Sequence, residues 1–154
     1  MKIDSIQNGV VIDHITAGGG MKLYHLLGLD TIDCSVALIR NVPSKKMGRK
    51  DIIKVDGDVT LNLDVIGYVD PAATVNIIRD GKTVEKKHLE LPEKIVGVVK
   101  CKNPRCITTT EQELPQVFEL RDREHAIYRC LQRVMYPHTK SSTHISHIAI
   151  TIDR

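Results

Sequence analysis

Three of the four cysteines have a spacing that suits a metal ion. Cys101 and Cys106 enclose Lys-Asn-Pro-Arg, and a turn of this length lets two thiolates reach one ion. Cys130 follows a segment, residues 117–128, that is expected to form a hairpin and to return a third thiolate. These residue types favour structural zinc, one ion per chain, which normally has four ligands. The sequence therefore predicts a zinc site that lacks one ligand.

The missing ligand would be expected about three residues after Cys130, where the chain has Arg133. A guanidinium offers no lone pair to a metal ion. His138, His144 and His147 in the tail could supply an imidazole, but none has a typical spacing, and solvent-facing tail histidines are the preferred interpretation. Buried thiols are the alternative for the three cysteines, although so small a unit usually needs a metal or a disulfide.

The remaining cysteine has a different pattern. Cys34 falls in the apolar phase of a period-two segment with Ile32, Val36 and Leu38. A cysteine in that phase behaves as a small apolar side chain. We therefore expect Cys34 to be a core residue and not a reactive thiol.

A basic cluster could bind an anionic ligand. It comprises Lys45, Lys46, Arg49, Lys50 and Lys54. Strand spacing would put Lys50 and Lys54 on one face, about 13 Å apart, which suits a nucleotide. A neighbouring hairpin carries Lys82, Lys86 and Lys87, and Asp13 ends a strand where it could accept a ribose hydroxyl. A solvated edge strand that uses lysines against aggregation is the competing interpretation.

Other kinds of functional site have less support in the sequence. The glycines at 18–20 precede Met21-Lys22, which does not complete a phosphate-binding loop of the P-loop type. His14 and His25 have no recognisable catalytic partners, so we predict no catalytic centre. A net charge of +3 is too small to imply nucleic-acid binding. No signal peptide or apolar run of membrane-spanning length is evident, so we expect a cytoplasmic protein with no membrane partner.

The helices and strands that would position these residues are predicted from the spacing of apolar residues along the chain. Strands are expected at 9–15, 31–39, 49–55, 73–79 and 83–85, and helices after Gly20 and after Asp58, which would cap the second helix. The order βαββαββ predicts an α+β, ferredoxin-like split βαβ layer in residues 1–92. A charged stretch with Pro92 predicts a linker from Lys86, and residues 93–154 would form a small all-β, zinc-ribbon-like domain.

Together these segments resemble the regulatory chain of aspartate carbamoyltransferase. The resemblance covers residues 3–130 in order, and it is carried by Gly9-Val-Val-Ile-Asp-His14, Met47-Gly-Arg-Lys-Asp-Ile-Ile-Lys54, Ala73-Thr-Val-Asn76, Leu91-Pro-Glu-Lys-Ile95 and Cys101-x4-Cys106-Ile107. It ends at Cys130, where the family pattern requires a second Cys-x2-Cys knuckle. The tail 131–154 is therefore atypical, and we hypothesise an altered reading of the usual ending.

The resemblance implies a noncatalytic regulatory subunit that controls the first committed steps of pyrimidine biosynthesis. It also implies a homodimer formed through the N-terminal domain and a zinc domain that contacts the catalytic chain. CTP would act as inhibitor and ATP as activator, with UTP as a further candidate, each through different affinities for two quaternary states. Two alternatives stay open: a nucleotide-sensing module without a catalytic partner, and a zinc-ribbon module that binds nucleic acid.

The resemblance also assigns site residues by position. Asp13 and Lys54 would address the ribose and base, and Lys86 the phosphates. Lys50 and His14 match positions near the phosphates and a second nucleotide. The pocket wall would comprise Val11, Asn76, Ile78, Thr83 and Val84, while Ile6 and the turn near Gly81 would offer backbone carbonyls to a cytosine amino group.

Overall fold

The structure is a computed structural model that describes residues 5–111, 113–132 and 149–151. The chain divides into two compact units, Met1–Glu90 and Leu91–Arg154. Within the described residues, no helix is long and apolar enough to span a membrane. The two units have separate cores and are considered in turn.

The first unit is a five-stranded antiparallel sheet with two helices. Its elements are β1 (Gly9–Thr16), α1 (Gly20–Leu26), β2 (Ser35–Ser44), β3 (Gly48–Asp56), α2 (Leu63–Val69), β4 (Thr74–Arg79) and β5 (Lys82–His88). The strands lie in the order β2-β3-β1-β4-β5, and all neighbours are antiparallel. The predicted α+β fold class with the order βαββαββ is confirmed.

The two faces of this sheet differ in what covers them. Ile12, Ile53 and Val75 are buried on the face that packs against Leu23 of α1 and Ile66 of α2. Residues alternate between faces along a strand, so their neighbours in sequence lie on the opposite face. The burial of apolar β-branched side chains under two short helices therefore leaves that opposite face to carry polar residues.

The second helix begins later than the sequence suggested. Asn62 is its N-cap, and the Asn62 side chain accepts hydrogen bonds from the amides of Asp64 and Val65. Asp58 lies four residues earlier and pairs instead with Arg79 at 2.8 Å. The expectation that Asp58 caps this helix was wrong, because a second residue with equal capping ability stands closer to the first helical turn.

Two strand boundaries also differ from expectation. β2 begins at Ser35 and not at residue 31, and Cys34 just before it packs half-buried against the core. β5 continues to His88, so Lys86 and Lys87 belong to a strand and not to a linker. The predicted Asp80-Gly81 turn is present with positive φ at both residues, the conformation that suits a two-residue hairpin.

A fully buried carboxylate fixes the start of α1. Asp51 of β3 accepts hydrogen bonds from the amides of Gly18 and Gly20 at 3.0 and 3.1 Å, and from the amide of Asn41 at 2.8 Å. A Cβ atom on Gly20 would approach the Asp51 side chain to 2.9 Å, closer than atoms normally pack. The glycine run therefore serves this contact with a side chain of the sheet.

The second unit is a four-stranded antiparallel sheet with one helical turn. It comprises β6 (Lys94–Val96), α3 (Ile107–Thr110), β7 (Val117–Asp122), β8 (Ile127–Cys130) and β9 (Ala149–Thr151), ordered β6-β7-β8-β9. Ile95, Phe118 and Tyr128 are buried in it, and the Tyr128 hydroxyl donates to the Pro92 carbonyl at 2.7 Å. This small C-terminal sheet confirms the predicted all-β class of the second domain.

Candidate binding face and metal centre

One row of residues crosses all five strands of the first sheet. Val11 on β1 lies opposite Lys54 on β3 and opposite Asn76 on β4. The row continues outward, because Lys54 lies opposite Ala37 and Asn76 lies opposite Lys86. Directly opposed residues share a face, so four of the sequence-predicted site residues are brought into line. Lys54 and Lys86 are three strand spacings apart, or about 14 Å.

A second row lies beside the first. Ile78 on β4 is opposite Gly9 on β1 and Thr83 on β5. The register shifts between this pair and the pair Ile77–Glu85, which leaves Val84 as the extra residue of a bulge with its side chain 60% exposed. The bulge also turns Lys86 onto the face of Asn76, whereas Lys87 lies opposite Val75, a core residue. Sequence alone gave no signal for this bulge.

Asp13 and Lys50 form an ion pair on the same face. The Lys50 ammonium lies 2.7 and 3.0 Å from the two carboxylate oxygens of Asp13, and both side chains are largely buried. Burial opposes ionisation of Asp13, but hydrogen bonds from Lys50 and from the His14 amide outweigh it, so the pKa of Asp13 is lowered from 3.8. Two residues that were expected to contact a ligand therefore contact each other.

His14 lies at an irregularity in β1. Its φ is +60° and the pairing of β1 with β3 shifts between Ile12 and Ile15. The ring nitrogen Nδ1 is 3.3 Å from the Thr74 hydroxyl and 3.4 Å from Asp13. The strained backbone thus directs the His14 ring toward the Asp13–Lys50 pair, so these three predicted residues are adjacent.

A cavity of about 250 Å³ lies at the other end of the face. Ile6, Lys54 and Ala37 line it together with Ser5, Ser35, Val36 and Asp56. The β4–β5 turn is tied to the same N-terminal segment, because the Gly81 amide donates to the Gln7 carbonyl at 2.9 Å. The segments around Ile6 and Gly81, whose backbone carbonyls are predicted to accept a hydrogen bond from a base amino group, are therefore joined by a direct hydrogen bond.

Several basic residues of the predicted cluster lie elsewhere. Lys45 and Lys46 are exposed in the β2–β3 turn, and the Arg49 guanidinium donates to the Asn41 carbonyl. On the helix-bearing side, a separate cavity of about 270 Å³ is lined by residues such as Val10, Val75, Ile77, Arg79 and Lys87. None of the predicted site residues lines this cavity. These five strand residues alternate in sequence with the predicted site residues, and therefore lie on the opposite face of the sheet.

The three predicted metal ligands converge in the second unit. The Sγ atoms of Cys101, Cys106 and Cys130 all lie within 4.8 Å of one another, and those of Cys106 and Cys130 are 3.8 Å apart. Zinc–sulfur bonds of about 2.3 Å in tetrahedral geometry give sulfurs about 3.8 Å apart. The sulfur positions and the soft donor type therefore fit zinc.

The turn that carries two of these cysteines is organised by one asparagine. The Asn103 carbonyl accepts hydrogen bonds from the Cys106 amide and the Thr109 hydroxyl, both at 3.0 Å. Its side chain accepts from the Arg105 amide at 3.0 Å. Asparagine readily makes such local bonds to its own backbone, so this turn can bring Cys101 and Cys106 together within six residues.

The third ligand comes from the end of a strand. Cys130 lies opposite Phe118, and pairing continues beyond it because the Leu131 amide donates to the Val117 carbonyl at 2.9 Å. The Gln132 side chain then donates to the Pro115 carbonyl at 3.0 Å. Arg133, His138, His144 and His147 lie outside the described residues, so the structure does not describe any contribution from them.

The protonation of the sulfurs depends on their neighbours. Burial, reinforced by the adjacent sulfurs, raises the pKa of Cys130 to about 12. Burial also acts on Cys106, but hydrogen bonds that include the Thr108 hydroxyl at 3.1 Å outweigh it and lower the pKa of that thiol. Metal ions bind the thiolate forms and release these protons, so binding will weaken in acid.

Two family models match the chain. Residues 1–90 match the aspartate carbamoyltransferase regulatory chain, allosteric domain, and residues 93–131 match the metal binding domain of the same chain. The aspartate carbamoyltransferase regulatory chain of Clostridium tetani is 49% identical over 131 residues, which cover 84% of this chain and 91% of the relative. That of Bifidobacterium longum is 49% identical over 130 residues, or 84% and 94%.

Proposed function

The chain belongs to the family of aspartate carbamoyltransferase regulatory chains, and from that premise we propose that it is a noncatalytic subunit that binds CTP as inhibitor and ATP as activator. UTP is a further candidate ligand of the same face. The observation that carries the proposal is the row Lys54, Val11, Asn76 and Lys86, which spans four neighbouring strands of the allosteric domain.

The charges on this face support a triphosphate ligand. Lys86 is exposed at one edge of the row, where an ammonium can bind phosphate oxygens. Lys54 lines the 250 Å³ cavity at the opposite end, which suits the base and ribose. Asp13 would accept a ribose hydroxyl and Lys50, with His14, would lie near the phosphates or a second nucleotide. Phosphate would then compete with Asp13 for the Lys50 ammonium.

The pocket wall follows from the same two rows. Val11, Asn76 and Ile78 lie side by side on β1 and β4, and Thr83 lies opposite Ile78. Val84 projects from the bulge at the outer edge. These side chains offer apolar contact with an amide and a hydroxyl between them, as is usual for a small-molecule site. Ile6 and the Gly81 turn would supply carbonyls to a base amino group.

The metal centre has a different part in the proposal. Cys101, Cys106 and Cys130 would hold a structural zinc ion, which supplies the cross-link that so small a unit needs to fold. The folded second unit would contact the catalytic chain of aspartate carbamoyltransferase, whereas the first unit would form a homodimer. Carbamoyl transfer to aspartate would then belong to the catalytic partner.

Regulation would follow from linkage between sites. A nucleotide can shift a quaternary equilibrium only if it binds one state more tightly than the other. CTP would favour the low-activity assembly and ATP the high-activity one, with the coupling free energy set by that difference. This control acts on the first committed steps of pyrimidine biosynthesis.

A CTP titration of the zinc-loaded chain tests the nucleotide site. The melting temperature should rise progressively with CTP concentration, because a ligand that binds only the folded state stabilises it. Lys86→Ala should weaken CTP binding about tenfold or more, because it removes one charge-assisted interaction that contributes at least about 1.5 kcal/mol. Lys87→Ala is the matched control, since Lys87 is the next residue but faces the core side.

A co-purification experiment tests the proposed assembly. The chain, with its zinc, should be retained by an aspartate carbamoyltransferase catalytic chain from a related organism. Retention together with CTP binding supports the regulatory subunit. CTP binding without retention would favour the alternative, a nucleotide-sensing module without a catalytic partner. A melting curve unchanged at millimolar CTP would contradict the nucleotide site itself.

A further inference from the structure

In the part of the chain that the structure describes, the candidate metal centre has three sulfur ligands, whereas a tetrahedral ion has four coordination positions. We propose that the ion held by Cys101, Cys106 and Cys130 keeps its fourth position open to an external soft donor, such as a small-molecule thiol or an imidazole. This inference rests on the metal-binding part of the proposed function. It differs from a closed structural site in that the ion can take a ligand from solution and can be exchanged through that ligand.

The sulfur geometry leaves room for such a ligand. With Cys106 Sγ and Cys130 Sγ 3.8 Å apart, and all three sulfurs within 4.8 Å, the sulfurs are close enough together to take three corners of a tetrahedron around one zinc ion. Among residues 5–111, 113–132 and 149–151, no histidine, cysteine, aspartate or glutamate places a fourth ligand atom within that distance of all three. The described part of the chain therefore supplies three corners.

The two described residues that follow Cys130 do not supply a fourth ligand. Leu131 and Gln132 are hydrogen-bonded to Val117 and Pro115, which keeps these two residues alongside β7. The next residue is Arg133, whose guanidinium has no lone pair to offer. The residue three positions after Cys130 in the sequence, where a fourth thiolate would be expected, is therefore of a type that cannot ligate.

The site can also be approached from solvent. Cys106 is buried at 2% exposure, whereas Cys101 and Cys130 are half-buried and Leu131, which follows Cys130, is 42% exposed. Among the described residues, the side of Cys101 and Cys130 is therefore the side from which a small donor would approach the ion. Binding of a thiol there would form one metal–sulfur bond, release the thiol proton to the buffer and displace a coordinated water.

Cobalt(II) in place of zinc gives a direct measurement on the full chain. Thiolate-bound Co²⁺ has charge-transfer and d–d absorption bands that depend on the identity and number of its ligands. With a phosphine as the only reductant, titration with N-acetylcysteine or imidazole should change these bands saturably, at one donor per ion. In the zinc form, the same donor should accelerate metal transfer to a chromophoric chelator.

The control variant restores the missing thiolate. Arg133→Cys should bind Co²⁺ with a four-thiolate spectrum, should lose the response to the added thiol, and should lose the donor-dependent acceleration of zinc release. A second variant, with His138→Ala, His144→Ala and His147→Ala combined, removes the tail imidazoles. If the open position is correct, this variant should respond to the thiol as the parent chain does.

Three results would overturn the proposal in distinguishable ways. If the thiol leaves the Co²⁺ bands of the parent chain unchanged but changes those of the triple histidine variant, a tail imidazole closes the site. If the thiol leaves the Co²⁺ bands of both proteins unchanged, the fourth position is not open to an external donor. Failure to bind Co²⁺ at all would refute both this proposal and the metal-binding part of the proposed function, while the CTP titration would separately decide the nucleotide site.

Discussion

The two candidate sites are assembled in opposite ways. The candidate nucleotide-binding face draws its residues from strands that are spread over residues 9–88, and the sheet register brings them into line. The metal centre takes two ligands from one six-residue turn and one from a strand end, in a unit with a small core. We expect the first site to depend on a fold that its own apolar core stabilises, whereas the second site and its fold would depend on each other.

Metal removal should produce the largest difference in stability between the two units. Exhaustive chelation of the chain, or Cys106→Ser, should unfold residues of the second unit while the first unit keeps its cooperative melting. The reason is that the metal supplies folding free energy only where its ligands lie. Proteolysis with mass spectrometry would locate the cuts. Equal loss of protection in β1 and β3 would contradict the contrast between the units.

The next largest effect should come from Asp51 in the first unit. Asp51→Ala leaves the buried amide of Gly20 and the partly buried amides of Gly18 and Asn41 without their acceptor. Unmatched donors in such a site cost about 1–3 kcal/mol each, so the total loss should be about 3 kcal/mol or more. Denaturant unfolding should show that loss, while Co²⁺ binding by the cysteines should be unchanged. A loss below about 1 kcal/mol would mean that water replaces the carboxylate.

A smaller effect should distinguish the two candidate caps of α2. Asn62→Ala should lower the free energy of unfolding by about 1 kcal/mol, because it removes the acceptor for two amides of the first helical turn. Asp58→Ala should change it by about 0.5 kcal/mol or less, since it removes only an exposed ion pair with Arg79. Equal effects in chemical denaturation would restore Asp58 as a capping residue.

The smallest effect concerns the pH dependence at Asp13. Because the pKa of Asp13 is lowered in the folded state, its carboxylate stabilises the fold above the ordinary value of 3.8, and this stabilisation is lost as the pH falls below it. Asp13→Asn should therefore be less stable than the parent near neutral pH, and the difference should shrink on acidification. Melting temperatures from pH 7 to pH 3 would measure it, and a constant difference would contradict the ion pair with Lys50.

Periodicity was enough to predict much of the fold. The alternation of apolar residues predicted the strands around Ile12, Ile53 and Val75, and the Asp-Gly pair predicted the β4–β5 turn. Cysteine spacing predicted three residues whose sulfurs the structure brings together. These are local signals, because each depends on a few neighbouring residues whose types determine the outcome.

Other features depend on contacts that no local pattern contains. The bulge at Val84 decides that Lys86 and not Lys87 joins the row with Asn76, and a bulge arises from pairing between strands. Asp51 interrupts an apolar pattern, yet it is fully buried because amides from two other segments solvate it. Asp58 and Asn62 are equally plausible caps by type, and only the path of the chain before α2 selects between them.

The row across the first sheet is complete only when both edge strands of the sheet are paired. It takes one residue from each strand, including Ala37 on the edge strand β2 and Lys86 on the edge strand β5. A sheet with either edge strand detached would still bury Ile12 and Ile53, but its row would be interrupted. The complete row therefore exists only in molecules whose two edges have both paired, and a ligand lying along it would resist fraying of the strands that proteases and neighbouring chains reach first.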